Sequence, residues 1–163
     1  MKITAYISRV EKNDLNDIIE IENDIFGCDS FTKSQFTYAL KNEKAVFIKA
    51  EIMDGRGSQK YIAGYAMGFI RKAGKPGNQH LSARLYSIAV AGRARGMSVG
   101  KALLSEFHNI VKGRGCVNVY LEVRTDNAGA IKLYENFGYK RKCLIADYYH
   151  DHSPAFKYFK NDL

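Results

Sequence analysis

The chain has 163 residues, 46% of them apolar and 26% charged, which is room for one domain with its own core at near-average globular composition; disorder, collagen and coiled coil are excluded. With 25 basic residues against 17 acidic, the net charge of +8 favours an anionic partner: a nucleic acid, the ribosome, an anionic lipid or a polyphosphate cofactor. No apolar run approaches the ~20 residues that span a bilayer, and the first residues carry no apolar leader. Cys28, Cys116 and Cys143 are odd in number, widely spaced and never in a C-x-x-C pair, which argues against a disulfide framework or a structural zinc site. These features predict a cytoplasmic protein with no membrane partner.

Residues 2–10 read as a strand, with Ile3, Ala5 and Ile7 loosely alternating. A helix follows, capped by Asn13 or Asp14. In it Leu15, Ile18, Ile19, Ile25 and Phe26 form one apolar stripe with Glu22 in its midst. Thr32 opens a second helix that carries Phe36 and Leu40 on one side. Stretches 45–52 and 61–70 are rich in β-branched, aromatic and small residues and flank the turn signal Asp54-Gly55-Arg56-Gly57-Ser58, so they form a hairpin. A second break over residues 73–78 precedes a strand over 83–90. Leu103, Leu104, Phe107, Ile110 and Val111 then make a helical stripe that stops at Gly113 and Gly115. In the strand 116–123, Val117, Val119, Leu121 and Val123 share one face against Asn118, Tyr120 and Glu122. A short helix from Asn127 carries Ala130, Leu133, Tyr134 and Phe137 and ends at Gly138; strands over 139–146 and 155–159 follow. The order predicts a mixed α/β domain, residues 1–163, with helices covering the sheet.

The segment from Ile88 to Ala102 passes from a strand through a Gly- and Arg-rich loop into a helix N-terminus, where unpaired N–H groups and the helix dipole favour a phosphate. It is not a Walker loop, because Gly96 and Gly100 enclose three residues and Ala102 replaces the Ser or Thr that would hold magnesium. G-x-G-x-x-G is absent as well. An ordinary strand-helix connection with surface arginines is the competing reading.

Arg95-Gly96-Met97-Ser98-Val99-Gly100 resembles the R/Q-x-x-G-x-G/A loop of the GNAT acetyltransferases, with Ser98 where the first Gly is usual. If that position needs φ > 0, Ser costs about 1 kcal/mol relative to Gly while keeping the N–H donor. Leu121-Glu122-Val123-Arg124, Asn127, Ala130-Ile131, Leu133-Tyr134 and Gly138-Tyr139 are similar to the L-E-V-R…N…A-I-x-L-Y…G-F/Y block of the RimI-type ribosomal-protein alanine N-acetyltransferases. Tyr148-Tyr149-His150-Asp151 resembles that family's Y-Y-x-D turn, and Ile21-Glu22 its first helix; Phe31 stands where close relatives carry Trp.

The resemblance implies the GNAT fold, an α/β (α+β) architecture with a mixed, mostly antiparallel sheet of about seven strands and about four helices on its two faces. It implies acetyl-CoA as cofactor, held by Ile88, Ala89, Val90, Arg95, Gly96, Met97, Ser98, Val99, Gly100, Lys101, Asn127 and Tyr134. It further implies Glu122 as general base and Tyr134 as the general acid protonating the coenzyme A sulfur, with a β-strand N–H near Val90 polarising the thioester carbonyl. Glu22, Phe31 and Tyr149 would line the amine-binding groove. A phenol with pKa near ~10 stays protonated at neutral pH, and a thiolate with pKa around ~8.5 needs only modest help to leave.

A carboxylate in an apolar stripe, such as Glu22, is directed into a polar cleft or paired with a buried partner, because burying it alone is costly. Asp147, His150, Asp151 and His152 make only a weak metal cluster, and no metal is expected. Cys116 and Cys143 read as buried strand residues. Arg93, Arg95, Lys101, Lys112 and Arg114 surround the loop and its helix and suit a pyrophosphate. Arg71-Lys72 and Lys140-Arg141-Lys142 remain, either as solvated faces or as a surface for ribosomal RNA.

The acceptor expected is a protein N-terminal α-amino group, with the ribosome or a ribosomal protein as a partner. An α-amine with pKa near ~8 costs roughly 1.4 kcal/mol to deprotonate at pH 7, against about 4.6 for a lysine. A small-molecule amine (polyamine, amino acid or antibiotic) is the rival acceptor, and a non-catalytic module binding coenzyme A or nucleic acid the rival from another class.

Overall fold

The computed structural model describes residues 4–54, 57 and 59–163. Strand β1 (Tyr6–Arg9) is shorter than expected, and Lys2 and Ile3 of the anticipated strand lie outside the described residues. A single 3-10 turn, Lys12–Asp14, leads into α1 (Leu15–Phe26). Asp14 does not cap α1 through its side chain: its carboxylate accepts the Glu11 N–H at 2.7 Å and pairs with Lys49 at 2.7 Å. Helix α2 (Lys33–Lys41) starts at Thr32 as expected. Thr32 Oγ1 accepts the Gln35 N–H and Gln35 Oε1 accepts the Thr32 N–H, so each end satisfies the other's orphan donor.

Strands β2 (Ala45–Met53), β3 (Lys60–Lys75) and β4 (Asn78–Val90) form a longer meander than the composition suggested. Gly55, Arg56 and Ser58 of the first turn lie outside the described residues. The second break shrinks to two residues, Pro76 and Gly77, because Lys75 already faces Asn78 across the ladder. Gly77 has φ +87, which the second central position of a type II turn requires and glycine supplies without strain. Then come α3 (Val99–Gly113), β5 (Cys116–Arg124), α4 (Ala128–Asn136), β6 (Lys140–Ile145) and β7 (Ala155–Asn161).

The sheet order is β1-β2-β3-β4-β5-β7-β6. Only β4 and β5 run parallel, and α3 is the crossover that such a pair needs. Helix α3 packs on one face against Val46, Ile48, Ala66, Leu85 and Val119; α1 and α2 pack on the other against Phe47, Tyr65 and Met67. Seven strands and four helices on two faces match the expected architecture. One expectation on burial fails: Cys143 is exposed because β6 is an edge strand. Val117 is 51% exposed, while Tyr120 is buried beneath long cationic side chains. Among the described residues, no helix is long and apolar enough to cross a membrane.

One irregularity positions everything functional. Strands β4 and β5 pair only from Leu81/Cys116 to Arg84/Tyr120 and then separate. Just past that point β4 carries a bulge: Gly68 of β3 faces Leu85 and Met67 faces Ser87, so Tyr86 is an extra residue that bends the strand. Gly68 permits the bend to sit tightly, since a Cβ there would lie 2.5 Å from the Arg84 carbonyl oxygen and 2.6 Å from the Phe107 ring. Residues 85–90 therefore show one backbone edge without a strand partner.

Candidate functional site

The gap between β4 and β5 opens into a cleft of about 1070 Å³ that runs from the N-terminus of α3 to the turn between β6 and β7. At one end the chain leaves β4, makes a 3-10 turn over Gly92–Ala94 and enters α3. Gly96 (φ +77) and Ser98 (φ +61) are both left-handed, so Ser98 does occupy a conformation that favours glycine. That geometry aims the first N–H groups of α3, which have no partner within the helix, toward the cleft. Arg95, Gly96, Ser98, Val99, Gly100 and Lys101 line it, as do Ile88, Ala89 and Val90 on the open edge of β4. Met97 does not: its N–H is spent on the Ala94 carbonyl at 3.3 Å and its side chain packs on the core. Asn127 lines the cleft while its Oδ1 caps α4 through the Ala130 N–H at 3.1 Å.

Glu122 and Tyr134 line the same cleft from β5 and α4. Glu122 lies near the end of β5 and is ion-paired with Arg84 of β4, with N–O distances of 3.0 and 3.1 Å. Arg84 also donates to Tyr148 at 3.0 Å and Tyr86 at 3.3 Å, so one guanidinium ties the strand junction to the β6–β7 turn. Tyr134 is buried beside Tyr139, and burial, helped by nearby Tyr149, raises its phenol pKa well above the ordinary value. The phenol therefore stays protonated at any physiological pH.

At the opposite end the walls come from α1 with the turn after it, from β4 and from the β6–β7 turn. Glu22 is 1% exposed, and its carboxylate accepts the Phe31 N–H at 2.8 Å, the Ser87 hydroxyl at 3.3 Å and the Tyr65 hydroxyl. No cation pairs with it among the described residues. Burial raises its pKa, with those three hydrogen bonds opposing the rise in part. Phe31 is fixed by edge contacts with Phe36 and Tyr86. Tyr149 packs edge-on against Tyr148 and carries the Arg124 guanidinium 4.2 Å over its ring.

Asp29, Ser87, Arg84, Arg124, Tyr148 and His150 also line the cleft and were not among the expected site residues. Asp29 accepts from Arg124 and from the N–H of His150 at 3.2 Å, and Arg124 also reaches Asp151 at 2.9 Å. Burial works against the Asp29 carboxylate, but the Arg124 and His150 hydrogen bonds outweigh it and hold its pKa below the usual range. Arg124 and Tyr148 lie inside the motifs that carry the resemblance; Arg84 and Ser87 give no signal, because Arg84 reaches the cleft at the point where β4 and β5 separate and Ser87 through the β4 bulge. Asp147 and His152 bond each other instead of joining His150, and among the described residues no group of three or more His, Cys, Asp or Glu is placed to hold a metal ion.

The sequence matches the model of the acetyltransferase (GNAT) family over residues 15–139. It is 31% identical over 156 residues to an N-alpha-acetyltransferase of Sulfurisphaera tokodaii, covering 92% of this chain and 89% of that protein. It is 37% identical over 67 residues to the [ribosomal protein bS18]-alanine N-acetyltransferase of Escherichia coli, 41% of this chain and 45% of that one. The chain spans less than half the length of some curated relatives it matches, that enzyme among them, and 34% of a Mycobacterium leprae protein. In fold it superposes on Arabidopsis thaliana NAA60 in complex with a bisubstrate analogue with a TM-score of 0.86 at 19% identity, covering 98% of this chain and 100% of that one. With the family model matched across most of its length, the chain belongs to the GNAT acetyltransferase family.

Proposed function

We propose that the chain is an N-acetyltransferase that transfers the acetyl group of acetyl-CoA to the α-amino group at a protein N-terminus. The observation that carries this reading is that one cleft is lined by the α3 N-terminal loop, by Glu122 and Tyr134, and by the aromatic walls Phe31 and Tyr149.

The donor end fits acetyl-CoA. Left-handed Gly96 and Ser98 and the free N–H groups opening α3 form a concave donor set for a pyrophosphate, with exposed Arg95 and Lys101 adding charge. When bound, acetyl-CoA supplies an acetyl thioester. The unpartnered edge of Ile88, Ala89 and Val90 offers backbone N–H donors to its carbonyl, and Asn127 borders the same passage.

The acceptor amine gives up its proton to Glu122, directly or through water, as its nitrogen bonds to the acetyl carbon. Tyr134, kept protonated by burial, delivers a proton to the departing thiolate. An α-amine asks less of this base than a lysine does, by about 3 kcal/mol at pH 7. Glu22, satisfied by three hydrogen bonds and buried, serves as a positioning residue: it holds the turn bearing Phe31 against Ser87 of β4. The N-alpha-acetyltransferase relative and the alanine N-acetyltransferase relative support a protein N-terminus as acceptor, the latter one beginning with Ala.

The test is thiol release from acetyl-CoA over peptides starting with Ala or Ser, an N-terminally blocked lysine peptide, and spermidine. Turnover on the free N-terminal peptides is expected. Turnover on spermidine alone would move the acceptor to small amines, and calorimetric titration showing no acetyl-CoA binding would remove the donor assignment.

A further inference from the structure

The fold brings one residue from each basic cluster left over in the sequence, Arg71 and Lys142, onto one surface. Helices α1 and α2 cover β2, β3 and β4 on their face of the sheet. Past β4, the same face of β5, β7 and β6 is covered by side chains, and these are cationic. Arg71 lies 4.8 Å and Lys157 4.8 Å from the centre of the Tyr120 ring, with Arg84 at 5.9 Å. Tyr120 stacks on Phe159 at 5.3 Å, and Lys142 lies 4.5 Å over that second ring. Five strands, from β3 to β6, contribute to this face across about 19 Å, four strand spacings.

Like charges do not gather without reason, because mutual repulsion costs stability unless an anion offsets it. Among the described residues Arg71, Lys142 and Lys157 are in no ion pair, and the one acid at this face, Glu122, is committed to Arg84. Beneath the cations the buried Tyr120 hydroxyl has no hydrogen-bond partner. The cofactor cleft does not use these groups, since Arg71, Lys142 and Lys157 lie outside its lining.

We propose that this open sheet face is a docking surface for single-stranded RNA, whose phosphates pair with Arg71, Lys157 and Lys142. Charge complementarity selects a polyanion. An acidic peptide would satisfy the charge but not the planarity. Arg71 carries its guanidinium 4.8 Å over the centre of the Tyr120 ring and is itself exposed, so its outer side is a platform on which a base stacks. A flat sheet face has no helix to enter a duplex groove, which favours a single strand. Further down the face, the half-buried Asn118 and His80 are joined by a hydrogen bond, the kind of polar group that meets a 2′-hydroxyl. Through Arg84 and its bond to Tyr148 the surface abuts the acceptor end of the cleft, so RNA held there flanks the entering amine. The surface stands whether or not the acceptor is a protein N-terminus.

The probe is a fluorescein-labelled 12-nucleotide oligouridylate, read by anisotropy on the full chain saturated with acetyl-CoA. The combined variant Arg71→Gln, Lys142→Gln, Lys157→Gln should weaken binding at least tenfold and flatten the dependence of log K on log salt by about 2, three contacts at roughly 0.7 each. A control that loses the same charge elsewhere, Lys12→Gln, Lys33→Gln, Lys41→Gln, should bind within about twofold of the parent. Lys142→Gln alone, on an exposed edge strand, should weaken binding about threefold and guards against a fold defect in the triple variant. Turnover on a short Ala-starting peptide should be unchanged in all of them. Equal losses in the test and control triples, displacement of the oligonucleotide by acetyl-CoA, equal affinity for oligodeoxythymidylate, or tighter binding of a decaglutamate peptide would each overturn the proposal.

Discussion

The two ends of the cleft are built on different plans. The donor end is one continuous stretch, residues 88–101, in which strand, loop and helix N-terminus follow each other and the ligand-facing groups are backbone N–H groups. The acceptor end is assembled from distant pieces. Glu22 bonds a residue 65 positions away, Arg124 reaches 95 positions back to Asp29, and His150 reaches 121. Backbone recognition tolerates a change such as Ser at position 98 because the N–H survives. Side-chain recognition through a shared network does not, since each group removed leaves others unsatisfied.

That contrast can be broken or sharpened by substitution. The largest effect is expected from Glu122→Gln, which should lower kcat by 10²-fold or more while leaving the affinity for acetyl-CoA within about twofold, checked by steady-state kinetics and calorimetry. Retained turnover would pass the base role to another group. Next, Tyr134→Phe should lower turnover at least tenfold with acetyl-CoA binding nearly intact, and unchanged turnover would remove the phenol from the proton path.

Glu22→Gln should raise KM for the peptide several-fold more than it lowers kcat, because the substitution loosens the turn that carries Phe31 and leaves the donor end alone. It also carries a pH signature. Burial lifts the folded-state pKa of Glu22 above 4.5, so the protonated form is the one the fold prefers. Its contribution is full below that unfolded-state value and is lost as pH rises through the folded-state pKa. Urea midpoints of the parent should therefore fall relative to Glu22→Gln as pH rises above 4.5, the unfolded-state value. A constant gap would mean that the carboxylate is not strained by burial.

The smallest effect belongs to the donor end. Ser98→Gly should relieve the left-handed strain by about 1 kcal/mol and raise the melting temperature by roughly 2–4 °C, measured by thermal unfolding. A lower melting temperature would show that the Ser98 side chain contributes more than its φ costs.

What could be read in the sequence follows the same division. Helical stripes such as Leu103, Leu104, Phe107 and Val111, the Thr32 cap, and the strand-loop-helix at residues 88–101 are local, and the structure reproduces them. Strand ends differ from the expectation where Gly74 and Lys75 continue a ladder despite their loop-like composition. Ser87 leaves no sign in the sequence because it reaches the cleft only through the extra residue Tyr86 in β4, and a bulge leaves no mark in a pattern of alternating residues; Arg84 leaves none because the parting of β4 and β5 beyond it is a tertiary event. Asp29 carries no local signal, because its partners Arg124 and His150 come near only in the folded chain. Glu22 stood out as a charge in an apolar stripe, and the structure shows hydrogen bonds where an ion pair was the alternative.

The most direct test of the account is to incubate the protein with acetyl-CoA and a peptide that begins with Ala and also carries an internal lysine, then locate the acetyl group by fragmentation mass spectrometry. The account predicts the label on the N-terminal nitrogen. Label confined to the lysine side chain, or no label from a preparation that binds acetyl-CoA, would contradict it.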